Sequence, residues 1–226
     1  MTTIPKIIHQ TSKDVTLPSP CDELAETWKV HHPLWEYKLW SDEMNREFIK
    51  EHYPSFLFKY DSYPREIQRV DAFRYCVLSK MGGVYIDIDF ECLENIEILL
   101  IDQTCVIGKE PSAHCIPFKK DMILCNAWMA CAPGDKFMNH VCERVMALES
   151  IQVEHNIDVL KTTGPFMLTD CYLEYESKKD VKILESGDLY PITMWETRDI
   201  IRNNMSDEVQ ARIDKAYAVH YFFGTW

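Results

Sequence analysis

Apolar and polar positions along the chain change period several times, and each change marks an expected element. Ile4-Pro-Lys-Ile-Ile-His-Gln10 reads as a short buried strand. The Pro18 and Pro20 break precedes a helical stretch over Cys21–Val30. Trp35 to Trp40 alternates with period two, which predicts a second strand. Ser41 then has the chemistry of an N-cap for a helix reaching Tyr53. From Glu66 to Met81 the apolar positions Ile67, Val70, Phe73, Tyr75, Val77 and Leu78 predict a largely buried helix, stopped by Gly82-Gly83. A β-branched strand, Val84–Phe90, follows at once and is interrupted by two acids. Further strands are expected at Thr104–Gly108, Ile123–Ala132, Val181–Leu184 and Ala216–His220, and helices at Lys136–Glu149 and Pro165–Glu176. Helices alternating with strands argue for an α/β chain with a mostly parallel sheet flanked by helices. No repeat or Gly/Ser-rich linker divides it, so one domain is expected.

Composition narrows the chemistry. A length of 226 residues with 46% hydrophobic and 27% charged content supports a real core and excludes a disordered tail or a disulfide-stapled mini-protein. The net charge of −12 gives no general attraction to nucleic acid or an anionic membrane. A phosphate-bearing ligand therefore requires local cations, a metal among them. The nine cysteines have no C-x-x-C spacing and sit in apolar surroundings, the usage of a reducing compartment. No stretch has the signature of a signal peptide or a membrane span.

Asp87-Ile-Asp89 carries the most information. Residues two apart on a strand share a face, so both carboxylates are expected to project together. Such a pair repels unless it shares a proton or holds a cation, and hard oxygen ligands suit Mg²⁺ or Mn²⁺. An Asp-x-Asp tripeptide arises by chance about once in a chain this rich in aspartate, so the tripeptide alone is weak. Its place at the carboxyl end of an apolar strand, where α/β sheets bind ligands, makes it specific. Asp71 and Arg74, three apart on the buried helix, form a second polar pair expected to be satisfied internally or to face a site. Arg69 divides evenly between solvent and site. Trp35, Tyr37, Leu39 and Trp40 are expected in the core, and His31 and His32, before Pro33, on the surface.

Four motifs in order resemble one family. Ile4-Pro-Lys-Ile-Ile-His-Gln-Thr11, Pro33 to Asp42, Arg69-Val-Asp-Ala-Phe-Arg-Tyr75 and Gly82-Gly-Val-Tyr-Ile-Asp-Ile-Asp89 are similar to the DXD-containing glycosyltransferases of family 32. Asn126-Ala-Trp-Met-Ala130, Thr163-Gly-Pro165 and His220 to Trp226 extend the match over nearly the whole chain. That family includes mannosyltransferases and capsular polysaccharide enzymes and is related to the clostridial glucosylating toxins. The resemblance implies a GT-A fold over residues 1–226, with a nucleotide-binding half at about 1–95 and an acceptor half at about 96–226. It implies transfer of a hexose, with retention, from a UDP- or GDP-sugar to a glycan or glycolipid. It further implies Mn²⁺ or Mg²⁺ on Asp87 and Asp89, with His220 as a third ligand.

In the same family reading, Asp71 and Arg74 bind hydroxyls of the transferred sugar, Tyr85 packs beside it and Asn126 faces it. His9, Gln10 and Thr11 line the nucleobase, and Trp226 closes over the diphosphate. The family usually has tryptophan after the His-Gln-Thr run; here Ser12 stands in its place, and Trp28 or Trp40 is the expected substitute. Retention by same-face attack needs no protein nucleophile, so no catalytic base is assigned. Glu91, Glu110 and Asp121 are acceptor candidates by sequence proximity alone. A catalytically silent sugar-nucleotide module and a metal-dependent nucleotide-sugar hydrolase use the same residues and stand as alternatives. With no N-terminal anchor in view, a bacterial or virus-encoded enzyme is expected, in the cytoplasm or peripherally at its membrane face.

Overall fold

The computed structural model describes residues 3–148 and 153–224. It begins with strand β1 (Ile7–Thr11), helix α1 (Cys21–His31), strand β2 (Glu36–Trp40), helix α2 (Asp42–His52) and short helix α3 (Leu57–Ser62). Helix α4 (Glu66–Met81) leads into β3 (Gly83–Ile86) and β4 (Phe90–Cys92), followed by α5 (Glu97–Leu100) and β5 (Cys105–Lys109). Then come α6 (Ser112–Cys115), β6 (Leu124–Cys131), α7 (Lys136–Ala147), α8 (Asn156–Thr162) and α9 (Pro165–Glu174). The chain closes with β7 (Lys182–Leu184), α10 (Ser186–Leu189), α11 (Met194–Ile201), α12 (Asp207–Ile213) and β8 (Ala218–His220). The expected long elements are present within a few residues. The short helices α3, α5, α6, α8 and α10–α12 are absent from the sequence reading, because so few turns carry no measurable period.

Six strands form one sheet in the order β2-β1-β3-β6-β5-β7. β6 is the strand that runs antiparallel to its neighbours, so the sheet is mostly parallel. Both faces are covered, which is why β6, Leu-Cys-Asn-Ala-Trp-Met-Ala-Cys, is apolar apart from Asn126 and buried throughout. Alternate side chains enter opposite cores. Tyr85, Met129, Cys131 and Ile107 pack under α4, α7 and α9, while Val84, Ile86, Trp128 and Val106 pack with Trp28 of α1 and Leu189 of α10. All nine cysteines are free and buried, behaving as small core residues.

Gly82 ends α4 at φ +67°, and a Cβ there would stand 2.6 Å from the Pro133 nitrogen. The positive φ and this close approach together explain the glycine. The turn it makes sets β3 beside β1, with Val84 and Tyr85 paired to Ile8 and His9, so that Ile86 ends at the carboxyl end of the parallel strands. Because β6 is antiparallel, Asn126 and Ala127 near its beginning lie at that same end, where the Asp87 N–H donates to the Ala127 carbonyl at 2.8 Å. Strand β3 stops at Ile86, short of the expected Phe90, which pairs instead with His220 of β8. Asp87-Ile-Asp89 occupies a turn instead, and the next strand, β4, pairs with β8 in a separate two-stranded ribbon.

Several aromatic and histidine side chains lie deeper than their sequence surroundings suggest. His32 is buried: its Nδ1 donates to the Trp28 carbonyl at 3.0 Å and its Nε2 accepts from the Ile96 N–H at 3.1 Å. The surface expectation for it fails because residues 92–96 fold back over the end of α1. His9 is also fully buried, with Nε2 donating to the Gly82 carbonyl at 2.9 Å and Nδ1 accepting from Trp40 Nε1 at 3.1 Å. Burial lowers its pKa to about 4.

A folded-state pKa below the unfolded value near 6.5 means that the unfolded chain takes the proton more readily. Stability from His9 is thus complete above pH 6.5 and is lost as pH falls toward 4. Between pH 7 and pH 5 the loss is about 2 kcal/mol. Urea titrations should show this acid sensitivity reduced in His9→Gln, which can keep both hydrogen bonds without titrating. An undiminished fall in the variant would refute the assignment.

Candidate active site

Helix α4 supplies the polar heart of the site. It is buried on almost every side, so Asp71 and Arg74, only 3% and 2% exposed, must be satisfied within the protein. The Arg74 guanidinium lies 3.4 Å from Asp71 and 3.1 Å from Asp87, donates to the Asn126 carbonyl at 2.8 Å, and stacks over the Tyr85 ring at 4.6 Å. Asp71 accepts from Asn126 Nδ2 at 2.9 Å and from Thr163 Oγ1 at 2.8 Å. Thr11 Oγ1 donates to the Tyr85 hydroxyl at 2.7 Å, which donates to Asp87 Oδ1 at 3.1 Å. Burial pushes the Asp71 and Asp87 carboxyls above the usual carboxylate range, against the pull of Arg74. The Arg74 guanidinium is held above its ordinary value: burial opposes its charge, but Asp87, Tyr85 and Asp71 outweigh burial.

The second cluster is assembled by the β4–β8 ribbon. Phe90 pairs with His220, and their rings stack with centroids 4.6 Å apart. His220 Nε2 donates to Asp89 Oδ1 at 3.0 Å, and the Phe223 N–H donates to Asp89 Oδ2 at 2.9 Å. Burial pushes Asp89 up, yet the imidazole and the Phe223 N–H prevail and hold it below the usual carboxylate range. Burial likewise lowers His220, and the Asp89 carboxylate beside it more than reverses the shift.

One ligand atom from each of Asp87, Asp89 and His220 can be chosen so that all lie within 4.8 Å of one another. Two carboxylates and one imidazole suit Mn²⁺, with positions left open for a ligand's own oxygens. His220 Nδ1 is buried and finds no partner among the described residues, as does Arg74 Nε. The charges also fit: Asp71, Asp87 and Asp89 against Arg74 leave two net negative charges, which a divalent cation cancels.

These groups open on a cavity of about 1070 Å³. Thr11, Ser12, Lys13, Arg74, Asp87, Asp89, His220 and Phe223 line its deep side. Asp71, Tyr85 and Asn126 form a hydrogen-bonded floor behind Arg74 and Asp87 rather than the wall itself. His9 and Gln10, expected beside the nucleobase, do not line the cavity: both ends of the Gln10 amide are used, by the Asp87 carbonyl at 3.2 Å and the Tyr37 hydroxyl at 2.6 Å.

Neither candidate substitute for the missing tryptophan reaches the cavity. Trp28 is enclosed and donates to the Phe90 carbonyl, and Trp40 packs on Phe48 and Phe73. Arg69 turns away to the Tyr63 carbonyl. Glu91 accepts from the Tyr221 hydroxyl and Glu110 pairs with His114, while Asp121 is exposed; none of the three lines the cavity. Trp226 lies outside the described residues. The sequence reading missed the role of Thr163, which it saw only as the start of a Thr-Gly-Pro motif, and of the Phe223 backbone, which has no sequence signal.

Residues 18–107 match the family model described as a glycosyltransferase sugar-binding region containing a DXD motif. Inositol phosphoceramide mannosyltransferase 3 of Schizosaccharomyces pombe is 34% identical over 179 residues, 79% of this chain and 48% of that protein. Mannosyl phosphorylinositol ceramide synthase SUR1 of Saccharomyces cerevisiae is 33% identical over 173 residues, 76% of this chain and 43% of that protein. The chain spans about half the length of these curated relatives or less. They are yeast proteins, which overturns the expectation of a bacterial or virus-encoded enzyme confined to the cytoplasm. Among the described residues no helix is long and apolar enough to cross a membrane.

Among solved structures, the ligand-free glycosyltransferase domain of the YGT toxin superposes with a TM-score of 0.58 at 9% identity, covering 81% of each chain. The PaToxG glycosyltransferase gives 0.57 at 17% identity, covering 78% of this chain and 73% of that one. At such identities the likeness speaks to fold alone. The chain has the GT-A fold, and its residues 18–107 carry the glycosyltransferase sugar-binding region that contains a DXD motif.

Proposed function

We propose that this chain transfers a hexose, with retention, from a UDP- or GDP-sugar to a hydroxyl of a glycan or glycolipid, using Mn²⁺ or Mg²⁺. The observation that carries this reading is the convergence of Asp87, Asp89 and His220 at a cavity large enough for a nucleotide sugar. Mannosyltransferases among the relatives support mannose as the sugar, and their names support a lipid bearing phosphoinositol as the acceptor. The described chain acts as a single domain: residues up to about 95 hold the donor, and later residues complete the site from Asn126, Thr163 and His220.

In the reaction the bond from the anomeric carbon to the diphosphate oxygen breaks, and its electron pair leaves on the nucleoside diphosphate. The acceptor oxygen bonds the anomeric carbon from the same face, and its proton passes to the departing phosphate oxygen. When bound, the cation stabilises the charge that grows on that leaving group. Asp87, Asp89 and His220 hold it; Arg74 and Tyr85 fix the Asp87 carboxylate, and the Phe223 N–H fixes that of Asp89. Thr11, Ser12 and Lys13 border the base and ribose, with Lys13 adding positive charge near the phosphates of a donor that an acidic chain otherwise repels. Asp71 and Asn126 orient Arg74 toward hydroxyls of the transferred sugar.

Two measurements test this. Asp89→Asn should keep its circular dichroism and lose metal-dependent turnover by at least about a hundredfold, the scale of removing one contact to developing charge; unchanged turnover would overturn the metal assignment. Thermal melting with UDP- and GDP-sugars should rise with one nucleotide class only when Mn²⁺ is present, because a ligand that binds the folded state alone stabilises it by mass action. Folded protein that responds to no donor would be a silent module rather than an enzyme.

A further inference from the structure

Elsewhere along its lining the cavity changes character. Helix α11 turns Met194, Thr197, Arg198 and Ile201 toward the cavity, residues spaced three and four apart and so on one face. Val159 of α8 and Ile67 and Val70 of α4 continue the apolar surface. Arg198 is the cation that α11 brings to this lining, and it has no ion-pair partner among the described residues; Arg65 and Glu66 at the start of α4 also border the cavity. Arg198 is exposed, so its guanidinium is free to meet a ligand that enters the cavity. At about 1070 Å³ the cavity also stands at the upper end of single-ligand sites, leaving room for a second substrate beside the donor.

The wall is firmly built. Thr193 caps α11 by accepting from the Glu196 N–H, and the Glu196 side chain returns to the Thr193 N–H at 2.8 Å. Arg212 braces Glu196 and donates to the Pro191 carbonyl at 2.7 Å. His114 Nε2 accepts from the Met194 N–H at 3.1 Å, and its ring packs against Phe222, two residues beyond the candidate ligand His220. The wall is thus tied to the metal side of the cavity. Past the mouth, α11 exposes Trp195 (43%) and Ile201 (66%), and Met205 follows at 44%. The apolar surface therefore continues outward from the cavity.

We propose that this wall is the acceptor subsite, and that Arg198 selects an acceptor whose head group is a phosphodiester carried on a hydrocarbon anchor. The inference rests on the glycosyltransferase reading and adds the residue and chemistry that recognise the second substrate. The guanidinium donates to two phosphate oxygens. Val159, Met194 and Ile201 cover the first methylenes of the anchor, and the exposed side chains beyond them meet the surface that carries the lipid. The sugar-accepting hydroxyls then point across the cavity toward Arg74 and Asp87.

The test compares the parent chain with Arg198→Ala and Arg198→Lys on three acceptors. These are inositol phosphoceramide in detergent micelles, soluble glycerophosphoinositol, and glucosylceramide, which has the anchor without the phosphate. Arg198→Ala should raise KM for the phosphoinositol lipid on the order of tenfold, the scale of losing a charge-assisted bond, with manganese-dependent donor hydrolysis unchanged. Arg198→Lys should recover part of the loss, and the parent should prefer the lipid to its soluble head group. Equal KM in the parent and Arg198→Ala overturns the assignment, as does equal use of glucosylceramide. Absence of manganese-dependent donor turnover in the parent instead sinks the reading on which it rests.

Discussion

The buried guanidinium of Arg74 is held between the carboxylates of Asp71 and Asp87 and laid over the ring of Tyr85. A charge so deep is tolerated only when its partners are fixed, because removing one leaves the other uncompensated at a cost of about 3–5 kcal/mol. The fixing reaches far along the chain. Asn126 comes from β6, Thr163 from the start of α9, Thr11 from the end of β1, and each hydrogen-bonds to a member of the cluster. Strands and helices distant in sequence are thereby held in register at one point. That point is where Asp87 meets the cavity.

Around this fixed centre the second cluster can respond to ligands. Asp89 and His220 satisfy each other across the β4–β8 ribbon, but the bond between them uses groups that can equally serve a cation. Asp87 is oriented from behind by Arg74 and Tyr85, whereas Asp89 is oriented from the tail by the Phe223 N–H. One candidate ligand thus follows the main sheet, and the other two belong to the short β4–β8 ribbon and its approach. In a protein of net charge −12, the proposed diphosphate donor would depend on the proposed cation for much of its affinity, since carboxylates alone would repel it.

The two sides of the cavity follow from which elements build them. The parallel strands end in polar residues because their carboxyl ends face solvent and ligand, and the aliphatic wall comes from helices α4, α8 and α11, whose inward faces would otherwise be covered by core. Helix α4 contributes to both, with Arg74 on the polar side and Ile67 and Val70 on the aliphatic one.

Local pattern made much of this protein legible. The period of Glu66–Met81 and the glycines after it place Asp71, Arg74 and the acidic pair on consecutive elements, because side-chain periodicity and backbone chirality act over a few residues. The alternation at Glu36–Trp40 and the apolar run at Leu124–Cys131 likewise announce strands. Local pattern did not reveal that the strand breaks after Ile86, since that depends on β8 claiming Phe90. Nor did it reveal that His9, Gln10 and Trp40 satisfy one another and their neighbours beneath the site, or that an arginine on an eight-residue helix would stand on the cavity wall. His220 was named through family likeness, but its distance from Asp89 is a property of a pairing across 131 positions. The sequence by itself determined which residues could do the chemistry and on which elements they ride. Tertiary structure alone decided which of them face the ligand, because burial and hydrogen-bond satisfaction are settled by the sum of many contacts between segments that no local pattern records.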